Sequence, residues 1–235
     1  MRLLLRFLVG CFFLAILLSF AGYIFYKRLP SLASKRMESA LQVPVTIADM
    51  RLTLHSIDID QCTISNLPHK TLTKAFSAEI ISIQAPLTEY RKSHVTIDQI
   101  VIDQVYLGLE FDSPKGTQGN WSTLMKNLEA STSSSQEDTT VLIRELILTN
   151  IQVDVVYDTK GGSIKKLPPI DRLVFTNINT SEGLPMEQLL KSVLGQMLQS
   201  VFMKENIKNM LKETLELPET PLQELIAPFK GLFGS

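Results

Sequence analysis

The sequence predicts an α+β protein: an N-terminal transmembrane helix, a curved antiparallel β-sheet forming an open groove, and a long C-terminal amphipathic helix. Three observations carry that expectation. Phe7 to Tyr26 holds no charged residue, a run of about 20 residues that matches a ~30 Å bilayer core as a helix. Segments rich in β-branched residues alternate apolar with polar from Val45 to Phe111, and again from Val141 to about Asn179. From Met186 onward, Leu189, Leu190, Val193, Leu194, Met197, Leu198, Val201 and Phe202 follow the i, i+3, i+4 spacing of one helix face. The chain thus divides into an anchor (1–28), a sheet domain (29–182) and a helical segment (183–235).

The first block has two competitors. A cleaved signal peptide needs a shorter apolar region and an A-x-A-like site, and none follows Phe20. "LVGC" (Leu8 to Cys11) resembles a lipoprotein cleavage box, but the apolar run continues well past Cys11. An uncleaved, single-pass anchor is therefore expected. Arg2 and Arg6 flank one side and Lys27, Arg28, Lys35 and Arg36 the other, so the positive-inside rule leaves orientation open.

The body follows in order. A short helix from about Leu32 to Leu41 ends at "QVPV", where Pro44 forces Val43 into an extended conformation. Strands then run to Phe111. Gly116 and Gly119 mark a loop, Asn120 is placed to cap a helix near 120–129, and Trp121, Leu124, Met125 and Leu128 form its apolar face. The polar stretch "STSSSQEDTT" makes 130–140 a flexible loop, and "DTKGGS" signals a hairpin in the later strands. The stripe from Met186 to Phe202 either packs on the sheet, lies on a membrane surface or binds a partner helix.

An internal repeat organises the strands. "QIVIDQVYLGLEFD" (Gln99 to Asp112) matches "ELILTNIQVDVVYD" (Glu145 to Asp158), and "IDIDQC" and "LVFTNI" share its front half. In each copy the apolar phase slips by an offset of three: Ile59 to Cys62, Ile102 to Val105, Leu148 to Ile151, Phe175 to Ile178. A regular strand would change face there, so a bulge or corner must absorb one residue and bend the strand. Strands that bend in step gather their apolar residues on one concave face. The groove candidates are Ile57, Ile59, Ile100, Ile102, Leu146, Leu148, Leu173 and Phe175. The competing reading is an ordinary closed core.

The ordered set "ALQVPVTIADMRLTL", "IDIDQCTISNLP", "FSAEIISIQAPL", "VTIDQIVIDQVYLGLEFD" and "GNWSTLMKNL" resembles the N-terminal region of AsmA-like cell-envelope proteins of Gram-negative bacteria. The resemblance covers roughly Met1 to Leu128 and extends loosely to Asn179. It implies an inner-membrane, single-pass protein with a periplasmic body. It also implies a β-groove related to chorein-type lipid transporters, and a part in outer-membrane lipid homeostasis. This chain is much shorter than full members of that family, so a bridge across the envelope would need self-association or an envelope partner.

Reactive chemistry is not legible. His55, His69 and His94 stand alone without metal-ligand spacing, and no nucleophile elbow, phosphate loop or zinc motif occurs. Asp98 and Asp103 invite a reading as paired carboxylates. Asp60, Thr149 and Thr176 at the positions matching Asp103 fit a strand-bend role better. Cys11 and Cys62 fall in different units and specify no disulfide framework. A net charge of −1 with scattered cations gives no nucleic-acid footprint. The expectation is a non-enzymatic protein without metal or cofactor that contacts membrane lipid, its bilayer contact made through residues 7–26. The alternative is a structural or adaptor protein working through edge strands or its C-terminal helix.

Overall fold

A computed structural model describes residues 26–112, 119–132, 140–157 and 164–180. Strand accounts for 56% of them and helix for 23%, in a single eight-stranded sheet with two α-helices. The α+β expectation is therefore corrected to a mainly β fold. No helix among the described residues is long and apolar enough to cross a membrane, which overturns the single-pass, inner-membrane assignment. The expected span, Phe7 to Tyr26, lies outside the described residues except for its last position, and so does the expected helix over 183–235.

Helix α1 covers 26–41 and is longer than its composition indicated. It ends where Gln42 turns left-handed (φ 58°) with its amide still reaching the Glu38 carbonyl at 2.8 Å, and Pro44 then starts the extended chain. The strands are β1 (Val45–Leu52), β2 (Ser56–Ser65), β3 (Lys74–Gln84), β4 (His94–Asp103), β5 (Tyr106–Phe111), β6 (Thr140–Tyr157), β7 (Lys165–Lys166) and β8 (Ile170–Thr180). A 3-10 turn at Glu89–Arg91 precedes β4, and α2 (Asn120–Thr132) precedes β6. The sheet runs β1, β2, β3, then β4 with β5, then β6, then β7 with β8.

The sheet is mixed, not antiparallel throughout. β4 and β5 both lie parallel to the 18-residue β6, from His94 opposite Thr140 to Phe111 opposite Tyr157. Parallel neighbours need a long crossover, and the segment carrying α2 supplies it. The separation stays at 46 residues along the whole pairing, the same separation that aligns the two copies of the repeat. Equivalent residues of the repeat are thus physical neighbours.

The phase slip is a crease. Gln61, Gln104, Asn150 and Asn177 have φ of 51°, 51°, 52° and 56°, and each is the Gln or Asn within one of the four slips. In β1, β2, β3, β4–β5, β6 and β8, the positions Ala48, Gln61, Glu79, Gln104, Asn150 and Asp171 fall on one transverse line that the ladder pairing skips. A second skipped line joins Asp98, Arg144 and Asn177. Across the first line the buried set moves from Ala78 to Ile83, from Ile102 to Val105 and from Leu148 to Ile151, all within one apolar cluster. Each crease residue takes up the odd position, so the apolar side chains stay on one side. A β-branched residue tolerates this backbone poorly. Gln104→Val is expected to lose about 1–2 kcal/mol in urea unfolding and Gln104→Gly to lose nothing. Equal losses for both would mean that the left-handed conformation is not what the position demands.

Candidate functional site

The eight groove candidates come together. Leu52, Ile57, Ile83, Ile100, Leu146 and Phe175 follow one another across the sheet as ladder partners. Met50, Ile59, Ile81, Ile102, Leu148 and Leu173 form a second row beside them. Sequence reasoning missed Ile81 and Ile83, the links between the β2 and β4 members. The offset of three from Ala78 to Ile81 was the available signal, obscured because the slip in β3 carries Glu79 where the other copies have Gln or Asn.

The band is covered unevenly. Leu146 and Leu148 are 0% exposed, and Ile100, Ile102 and Leu173 are buried with them. These five sit as core and offer no open surface. Phe175, Ile57, Ile59 and Ile81 are half-buried. Beyond them Leu52 is 38% and Leu54 72% exposed. The accessible parts of the site therefore lie at its two margins, at Ile57 and Ile59 toward β1 and β2 and at Phe175 on β8.

The opposite face of the sheet carries Ile80, Val101, Ile147 and Val174 together with polar residues, and its carboxylates serve the creases. The Asp103 carboxylate accepts from Thr149 Oγ1 at 2.5 Å and Asn150 Nδ2 at 2.8 Å, bonds that hold its carboxyl below the usual range. Asp98 pairs with Arg144 at 3.0 Å on the second line. The two acids thus work at separate creases and tie β4 to β6, which is the strand-bend role and not an acid–base pair. Near the first line Arg51 grips Asp60 through two bonds of 2.8 and 3.1 Å. Among the described residues no group of three or more His, Cys, Asp or Glu is placed to hold a metal. His94 meets Thr140 Oγ1 at 2.7 Å, and His69 sits in a turn with φ 66°. Burial pushes the Cys62 thiol up to about 11, which keeps it neutral within the apolar layer.

The far end of the band is closed by a polar clasp. Glu110 is 3% exposed, and its carboxylate accepts from the amides of Thr71 at 2.8 Å and Leu72 at 3.0 Å. Asn120 Nδ2 donates to Asn66 Oδ1 and to the Gly108 carbonyl, both at 2.9 Å, while its Oδ1 accepts from the Glu110 amide at 3.0 Å. Trp121 Nε1 adds a bond of 2.9 Å to the same Gly108 carbonyl. The Asn of "ISNLP" and the Asn-Trp of "GNW", distant in sequence, are therefore one cluster. It fastens the β2–β3 turn, β5 and the start of α2 together. Asn127 Nδ2 continues the attachment to the Leu41 carbonyl of α1 at 2.9 Å.

No protein-family model, no curated protein and no solved structure matches the chain. What the site can do follows from its own chemistry. A two-row apolar band, buried at β6 and half-open at β2, offers aliphatic contact.

Proposed function

We propose that this chain is a non-enzymatic, AsmA-like lipid-binding protein that contributes to envelope lipid homeostasis by seating acyl chains on its apolar band. The observation that carries the reading is the pair of ladder-aligned rows with Ile57, Ile59 and Ile81 left half-open at one end. Each methylene laid there contributes ~0.8 kcal/mol, so about ten contribute ~8 kcal/mol before the cost of ordering the chain. The family resemblance in the sequence points the same way.

A second reading, a structural or adaptor protein with a closed core, is favoured by the full burial of Leu146 and Leu148. It would recruit an envelope partner or a second copy by pairing at a strand edge. Native mass spectrometry of the full-length chain, purified in a mild detergent, separates the two. Co-purifying lipid that is lost on Ile59→Asp, with the circular dichroism spectrum intact, is the expected result. Ile59 is the suitable position because it is half-exposed, whereas a charge at buried Ile102 would unfold the core. A lipid-free chain held in a complex with another protein would decide for the second reading.

A further inference from the structure

Leu54 is 72% exposed, more than any other large apolar side chain among the described residues, and Leu52 is 38% exposed. Both belong to the β1–β2 turn, and the turn is bonded so that they stay out. The Thr53 amide donates to the Ser56 carbonyl at 2.9 Å. Thr53 Oγ1 accepts from the amides of His55 at 3.2 Å and Ser56 at 2.9 Å, and it meets Ser56 Oγ at 2.9 Å. The loop after β3 completes the set. Its Ala85 amide donates to the His55 carbonyl and its Leu87 amide to the Leu54 carbonyl, both at 3.0 Å.

A surface turn can leave its backbone groups to water. Here the amides of Thr53, His55 and Ser56 and the carbonyls of Leu54, His55 and Ser56 are all bonded within the protein. That is what hydrocarbon demands of a backbone that enters it. Charge agrees. Leu52 to Ile57 and Ala85 to Thr88 contain no Asp, Glu, Lys or Arg, so no carboxylate or ammonium has to be stripped of water. The turn at the other end of β2 is built differently, with Lys70 paired to Asp112. Position then supplies the occupant. Leu52 is the ladder partner of Ile57, a half-open member of the band, and Ile57 is the partner of Ile83. Tip and band are one continuous apolar strip. Two leucines on a turn are too little surface for a stable protein partner, but they suit the interfacial layer of a bilayer.

We propose that the Leu52–Leu54 turn enters the interfacial layer of a phospholipid bilayer and is the point at which acyl chains pass onto the band. The proposal rests on the lipid-binding reading and adds to it the element that meets the lipid source. Fluorescence of the full-length Leu54→Trp variant with phosphatidylcholine vesicles tests it, because the parent's single tryptophan, Trp121, is buried and gives the background. Val174→Trp is the control, 45% exposed on the face opposite the band. Vesicles with brominated acyl chains are expected to shift the added emission of Leu54→Trp to shorter wavelength and to quench it, and to leave Val174→Trp unchanged. No shift in Leu54→Trp, or an equal shift in both variants, would overturn the contact. Lipid that co-purifies with the chain, without a shift in Leu54→Trp, would keep the lipid-binding reading and remove the turn from it. A shift confined to Leu54→Trp in a chain that carries no lipid would keep the bilayer contact and remove the band's part.

Discussion

Glu110→Ala is expected to destabilise the protein by roughly 2–6 kcal/mol. The reason is what the carboxylate leaves behind. The amides of Thr71 and Leu72 both end on it, and Asn66 Nδ2 approaches it at 3.3 Å. Each backbone donor orphaned in a buried place costs about 1–3 kcal/mol, and water entering the vacated space brings the total toward the lower end. Glu110→Gln keeps one acceptor oxygen and is expected to lose about half as much. Guanidinium unfolding of the two variants beside the parent checks the order. Losses below about 1 kcal/mol for both would show that the clasp does not hold the β2–β3 turn against β5.

Gly108→Ala is the second large effect, with a different cause. A Cβ at Gly108 would stand 2.4 Å from the carbonyl oxygen of Lys74, a backbone atom that no rotamer change can move. The strands β3 and β5 would have to separate where Phe76 and Leu107 are paired. The same shift would disturb the Gly108 carbonyl that receives Asn120 and Trp121. A loss of about 2–4 kcal/mol is expected, with faster hydrogen exchange in β5 than in β2. A stable variant with unchanged exchange would mean that the close approach has slack.

The two variants also show where sequence reading stopped. The 46-residue spacing of the repeat is the pairing register of β4–β5 with β6, and it was legible as an alignment. That the copies lie side by side and parallel was not, because an alignment carries no information on which strands are neighbours. The offset of three located the creases at Gln61, Gln104, Asn150 and Asn177 correctly. The crease continues through Ala48 and Glu79 without a left-handed residue, so β1 and β3 gave a weaker signal and Ile81 and Ile83 went unrecognised. Asn66 and Asn120 were conspicuous as turn and cap residues. Their contact across 54 positions is a tertiary fact that no local pattern encodes. Hydropathy also misjudged exposure. Ile59 and Leu148 look alike in the repeat, yet one is half-open and the other sealed, because cover depends on position across the sheet.

The creases have one further consequence. A residue in the left-handed well leaves it only by crossing a steric barrier, and three such residues stand abreast in β2, β4–β5 and β6. Flattening the sheet would require all of them to cross together. The shape of the apolar band is thereby settled when the chain folds, and under the proposed lipid-binding role a guest would spend none of its contact energy in moulding it.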